Sequence, residues 1–288
     1  FERKEQEITA LEIKNQCLNV TLNLNFQEKN VSLKDKIVFI TGASSGIGEA
    51  CAQQFAAAGA KLLLCARRLD VLEQLAAQLR AQYKAEVHTF MLNVCDQAQV
   101  KTAWDALPNS WKNVEILVNN AGLAAGLDTV SSATIQDWED MIDTNIKGLL
   151  YVTQIVVSGM EVRQTGHVIN IGSIAGHYVY PKGVVYCATK HAVKAITAGL
   201  RQELLNKKIK VSSVDPGAVE TNFSIVRFKG DQARAAAVYQ DMEPLMAADI
   251  ADAVLYCASR PSHVNIDEII VMPTDQAVAT SLVKRQHS

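Results

Sequence analysis

No apolar run in this 288-residue chain approaches the ~18 residues needed to cross a bilayer, so no membrane span is expected. Basic residues never gather beyond a Lys-Lys or Arg-Arg pair before the tail, and the formal net charge is −2. Neither nucleic acid nor an anionic membrane is therefore an expected partner. The six cysteines (Cys17, Cys51, Cys65, Cys95, Cys187 and Cys257) form no C-x-x-C pair and have no histidine at metal-ligand spacing. A disulfide framework and a bound metal are both unexpected. Several of these thiols lie in runs of small or apolar residues, where cysteine packs as a small hydrophobe; a reducing, cytoplasmic location is expected. The N-x-S/T triplets at Asn19, Asn30 and Asn222 are then incidental. No linker rich in Pro, Gly or Ser divides the chain, and no internal repeat is visible.

What remains is ample core-forming material, 49% hydrophobic against 20% charged residues. From Lys36 onward, short apolar strands alternate with helical stretches. Strands are expected at 36–40, 61–66, 86–92, 114–119, 167–172, 210–215 and 268–272, and helices at 46–58, 70–82, 96–106, 136–159, 184–206 and 247–258. Strands rich in Val, Ile and Leu on both faces, each followed by a helix, predict an α/β fold. It is a single-domain Rossmann fold, a doubly wound parallel sheet of seven strands with helices on both faces. Residues 1–33 stand apart. Their charged start suits a helix, and "LNVTLNLNF" alternates like an edge strand; a loosely attached leader accounts for them equally well. The expected organisation is an extension at 1–33 followed by a single Rossmann-type domain at 34–288.

In open sheets of this kind ligands bind beyond the carboxyl ends of the strands. After the first strand comes "TGASSGIGEA", with Gly42, Gly46 and Gly48 spaced G-x3-G-x-G rather than G-x-G-x-x-G. The mechanics are shared: a tight turn, close backbone approach, and a helix N-terminus facing a pyrophosphate. The second strand ends in Ala66, Arg67 and Arg68, where an NAD-preferring site usually has an acidic residue for the ribose 2′-hydroxyl. Paired guanidinium groups suit a 2′-phosphate, so NADP is expected rather than NAD. Asp70 has the look of a helix N-cap. Asn93 and Val94 end the third strand, where they can hold an adenine edge. Asn119, Asn120, Ala121 and Gly122 end the fourth, leaving room for a flat ring.

Ser173 ends the fifth strand, and Tyr186 and Lys190 follow four residues apart, on one face of a helix. A lone Y-x-x-x-K is common; with a strand-end serine and an upstream nucleotide loop it is not. Together, "TGASSGIG", "NNAG", Asn145 in "DTNIKG", Ser173, "YCATK" and Pro216-Gly217 in "DPGAVET" resemble the short-chain dehydrogenase/reductase family over about residues 35–277. The resemblance implies roles. Tyr186 is the general acid/base, Ser173 positions the substrate oxygen, and Lys190 holds the nicotinamide ribose and lowers the phenol pKa. Asn145 shapes a helix bend and holds a relay water. Lowering a phenol from about 10 to about 7.5 requires roughly 3.4 kcal/mol. A cation ~4 Å away supplies about 4 kcal/mol at an effective dielectric of 20. The cofactor set implied is Gly42, Ser44, Ser45, Gly46, Ile47, Gly48, Arg67, Arg68, Asn93, Val94, Asn120, Ala121, Gly122, Tyr186, Lys190, Pro216, Gly217, Val219 and Thr221. Asn93 departs from the aspartate of many relatives.

Stretches such as "DWEDMIDTNIKGLLYVTQ", "VRFKGD" and "VMPTDQA" resemble the branch that oxidises 3-hydroxy acids and β-hydroxy amino acids. Substrate contacts are then expected from Ser173, Tyr186 and a cation for the carboxylate. The segment at about 218–246 is the expected lid, and its Arg227 and Lys229 are both candidates. His177 and Lys182 are weaker ones, and His167 reads as structural. Steroid, sugar or xenobiotic ketone reduction remains an alternative, as does a catalytically silent NADP-binding protein. The resemblance further implies a homotetramer.

Overall fold

A computed structural model of the protein describes residues 31–240 and 242–278, and the backbone of 281–282. The helix and edge strand expected within 1–30 lie outside the described residues. Seven parallel strands form one sheet: β1 (Ile37–Thr41), β2 (Lys61–Ala66), β3 (Val87–Met91), β4 (Ile116–Asn119), β5 (Gly166–Ile171), β6 (Ile209–Pro216) and β7 (Glu268–Val271). Their order, 3-2-1-4-5-6-7, is that of the doubly wound fold, with the switch between β1 and β4.

Alternation along each strand divides the core into two layers. Val38, Ile40, Leu62, Leu64, Val118 and Ile169 face the layer covered by α1 (Gly46–Ala57), α2 (Leu69–Tyr83) and α9 (Ala247–Ala258). Phe39, Leu63, Leu117, Val168 and Val211 face the other, closed in part by α3 (Gln97–Ala106) and α5 (Leu149–Arg163). Phe39 and Phe55 are both buried, each worth about 1.5–3 kcal/mol of transfer free energy. A shorter helix, α4 (Ile135–Ile142), precedes α5, and α6 (Val184–Glu203) follows β5; α7 (Asn222–Arg227) and α8 (Gln232–Ala237) lie in the segment read as a lid.

Two boundaries differ from expectation for identifiable reasons. The single helix expected at 136–159 begins at Ile135, ends at Arg163 and carries a π-helical segment at Asp143–Gly148. There the side chain of Asn145 is drawn toward Leu123 and Thr189, and Gly148 lets Val94 approach; a Cβ on Gly148 would lie 2.7 Å from Val94 Cγ2. Asp70 is not an N-cap: Arg68 occupies that position with no side-chain cap bond, and Asp70 falls in the first turn of α2, where a negative charge still favours the helix N-terminus.

Candidate active site

The strand ends open into a cleft of about 520 Å³, a size suited to a small organic cofactor. At one end lies the glycine loop. Gly42 (φ +65°) and Gly46 (φ +59°) adopt the left-handed conformation that glycine takes without steric cost. Gly48 sits beneath the loop, where a Cβ would meet Gly42 O and Asn120 Nδ2 at 2.5 Å. Asn120 secures the turn, donating from Nδ2 to Thr41 O (2.9 Å) and Gly42 O (3.1 Å). Ser45 begins α1 without capping it, leaving first-turn N–H groups for an anion. Arg68 Nη2 donates to Ser44 Oγ (3.1 Å) and Ser45 Oγ (3.3 Å), so this guanidinium stands against the loop, with Arg67 beside it on the cleft wall. The donor set fits a phosphorylated dinucleotide. Among the described residues, none of those lining the cleft carries a carboxylate.

Ser44, Ser45, Ile47, Asn93, Val94, Ala121, Gly122, Pro216, Gly217, Val219 and Thr221 also line the cleft. The side chain of Asn93 is partly engaged, its Oδ1 accepting from Cys95 N at 3.2 Å, while its backbone N–H donates to Gln99 Oε1 at 2.6 Å. Cleft residues that sequence reasoning did not single out include Leu123, Thr144, Asn222, Phe223 and Val226. Phe223 lies against Tyr186, their ring centroids 5.8 Å apart. Which side of a short lid helix faces inward is a tertiary fact. The one sequence signal was position, directly after "DPGAVET".

At the other end, Ser173, Tyr186 and Lys190 come together, each buried or nearly so. The Ser173 hydroxyl lies beside the Tyr186 phenol, on the same cleft wall. Burial raises the phenol above its usual value and the neighbouring Tyr180 adds to this; the Ser173 hydroxyl and the charge of Arg227 oppose them. Lys190 Nζ donates to Ile171 O (2.9 Å) and lies 6.0 Å from the Tyr186 ring centroid. Burial brings the ammonium down to about 8, against the pull of Asp215. At Tyr186 burial therefore outweighs the charge of Arg227; the sequence-based expectation was a phenol lowered by Lys190.

Asn145 is buried behind this group and does not line the cleft. Its Oδ1 accepts from Leu123 N (2.9 Å), and its Nδ2 donates to Leu123 O (2.8 Å) and Thr189 Oγ1 (3.0 Å). Asn119 belongs to the core rather than the cleft, donating to Thr153 Oγ1 (2.8 Å) and Asn170 Oδ1 (2.9 Å).

The lid cations separate cleanly. Lys229 pairs with Asp137 (2.9 Å) and does not line the cleft. Arg227 donates from Nε to Gly126 O (3.1 Å) and from Nη2 to Tyr180 OH (3.3 Å). Its guanidinium carbon lies 5.7 Å from the ring centroid of Tyr186, in a small depression that shares Tyr186 with the main cleft. Lys182 lines that depression too. His177 turns away toward Asp215, and His167 is a buried core residue bonded to Ser212 Oγ at 2.8 Å.

Residues 36–232 match the short chain dehydrogenase family model. The chain is 43% identical to sulfoacetaldehyde reductase 2 of Chromohalobacter salexigens over 86% of its own length and 98% of that protein's. It is 40% identical to the NADP-dependent 3-hydroxy acid dehydrogenase of Schizosaccharomyces pombe, over 88% and 98% respectively. Among solved structures, a closed form of serine dehydrogenase complexed with NADP+ superposes with a TM-score of 0.81 at 41% identity, covering 87% of this chain and all of that one. With its seven-stranded parallel sheet and strand-end cleft, this chain belongs to the short-chain dehydrogenase family.

Proposed function

We propose that the protein transfers hydride between NADP and small 3-hydroxy acids or β-hydroxy amino acids of the serine, allo-threonine and 3-hydroxypropionate type. The observation that carries this reading is the meeting of Ser173, Tyr186 and Lys190 at one end of a cleft whose other end holds Arg67 and Arg68. NADP supplies the hydride acceptor, and its phosphates and ribose fall to the glycine loop, the arginines and Lys190. Ser173 hydrogen-bonds the substrate oxygen. Tyr186 takes the hydroxyl proton in oxidation and returns it in reduction. Lys190 supplies positive charge for the phenolate, and Asn145 holds the helix geometry behind it. The segment 218–246 closes over the cleft as a lid.

Arg227 is the candidate for the substrate carboxylate, since Lys229 is already paired. Its bonds to Gly126 and Tyr180 occupy two of the five N–H donors a guanidinium carries. A small sulfonate-bearing aldehyde would present the same kind of anion, and the name of one relative makes it the second substrate to try.

Absorbance assays with serine, allo-threonine, 3-hydroxypropionate, sulfoacetaldehyde and a bulky ketone separate these readings. Turnover of the ketone alone would overturn the proposal. Tyr186→Phe should cost roughly 10²–10⁴ in kcat with NADPH binding intact; near-normal turnover would remove Tyr186 from its role. Arg227→Leu should raise KM for the acid more than KM for NADP, and equal effects would count against the carboxylate contact. Ile135, Ile142 and Leu150 are exposed on α4 and α5, and we propose that they pack in a homotetramer. Light scattering that gives a monomer would exclude it.

A further inference from the structure

A second polar cluster lies beside this site and takes no part in the chemistry above. It joins His177, following the turn Ile174–Gly176, to Asp215 on β6, Glu268 on β7, and Lys194 one turn beyond Lys190 on α6. His177 Nε2 lies 2.5 Å from Asp215 Oδ2, and its Nδ1 lies 2.9 Å from Lys194 Nζ. An ammonium only donates, so Nδ1 accepts and the ring proton sits on Nε2, directed at Asp215. Lys194 Nζ also reaches Glu268 Oε1 at 3.2 Å and supplies the positive charge that two carboxylates need. Exposure falls steadily inward, from 44% for the Lys194 side chain to 28% for Glu268, 10% for His177 and 2% for Asp215.

Asp215 connects this cluster to the reaction centre. Its Oδ1 accepts from Ser213 Oγ and lies against the backbone of Gly172, 2.0 Å from where a Cβ would stand. The residue before Gly172 is Ile171, whose carbonyl receives the Lys190 ammonium. A side chain at position 172 would expel the carboxylate from this place.

We propose that Asp215, oriented by His177 and Ser213, is a positioning residue for Lys190: its carboxylate packs against Gly172, fixes the end of β5 whose Ile171 carbonyl receives the ammonium, and balances that buried charge. The proposal rests on the reading of Lys190 as the cation of the reaction centre. The charged and titratable groups in play are Tyr186 on α6 and Asp215 on β6 around Lys190. Around Asp215 they are His177, Glu268 and Lys190; around His177 they are Asp215, Glu268 and Lys194. Burial pushes Lys190 toward deprotonation, and Asp215 is the charge that works against it. The sign follows: without the carboxylate, Lys190 loses its proton at lower pH, and activity is lost earlier as pH rises.

The test is the pH profile of kcat/KM from pH 6 to 10, with NADPH affinity followed by fluorescence titration. In Asp215→Asn the alkaline limb should move down by about one pH unit or more, making the loss roughly tenfold greater at pH 9 than at pH 6.5. NADPH affinity should weaken over the same range. A uniform loss with an unchanged profile would overturn the proposal. Should Asp215→Asn fail to fold, His177 carries the test. His177→Gln keeps a donor for Asp215 and should retain the wild-type profile, whereas His177→Leu should shift it; identical profiles would overturn the proposal. Lys190→Ala separates the two levels: if it keeps the wild-type profile, the role of Lys190 itself fails.

Discussion

Gly48→Ala isolates the packing of the glycine loop, because Gly48 has no left-handed backbone to strain and the whole effect comes from one added carbon. That carbon would lie 2.5 Å from both Gly42 O and Asn120 Nδ2, and 3.1 Å from Ala43 Cα. The first contact falls about 0.9 Å short of ordinary van der Waals distance, and it is with backbone, so no rotamer change relieves it. The loop has little room to slide, since a Cβ on Gly42 would already lie 3.0 Å from Ala121 Cα. Overpacking of this kind typically costs about 1–3 kcal/mol. Borne by the cofactor site, it raises the NADP dissociation constant roughly 5- to 150-fold at 1.4 kcal/mol per decade. Fluorescence titration with NADPH reads this directly, and thermal unfolding without cofactor reports how much falls on the fold instead. An unchanged dissociation constant together with an unchanged Tm would refute the packing described for the loop.

Asn145→Ala leaves Leu123 N, Leu123 O and a bond to Thr189 Oγ1 without their partner in a buried site, and urea unfolding should show a loss on the order of 3 kcal/mol; a loss too small to measure would mean that the π-helical segment does not depend on this side chain. His167 is buried and its pKa is held well below the usual value, by burial first and then by Lys210. As pH falls below about 6.5 the unfolded chain takes up the proton first, so stability drops by up to about 1.4 kcal/mol per unit. His167→Asn should lack that part of the slope between pH 6.5 and 5, and parallel curves for the two proteins would contradict it. Lys229→Met removes the lid's partner for Asp137 while costing at most about 1 kcal/mol of stability, because the ammonium is largely exposed. Its expected signature is a higher KM for the hydroxy acid at a nearly unchanged Tm, and an unchanged KM would mean the pair does not hold the lid.

Strand composition, helix spacing and turn chemistry are local, and so the sheet was legible in the sequence almost to the residue: β2 was expected at 61–66 and runs Lys61–Ala66. The glycine loop, the arginines after β2 and the Ser173, Tyr186 and Lys190 set were legible for the same reason, because strand ends in a doubly wound sheet converge on one edge. Interactions between segments far apart in the chain were not. Nothing within "VRFKGD" indicates that Lys229 meets Asp137, 92 positions earlier, while Arg227 bonds Gly126 and Tyr180. Nothing within "GSIAGHYVYPKG" assigns His177 to Asp215 rather than to the substrate cleft. The local pattern of residues determined the fold and which side chains meet at the cleft. Tertiary structure decided which charges are paired, which are buried, and hence which way Tyr186 and Lys190 are pushed, because burial and partnership depend on atoms the chain brings together only when folded.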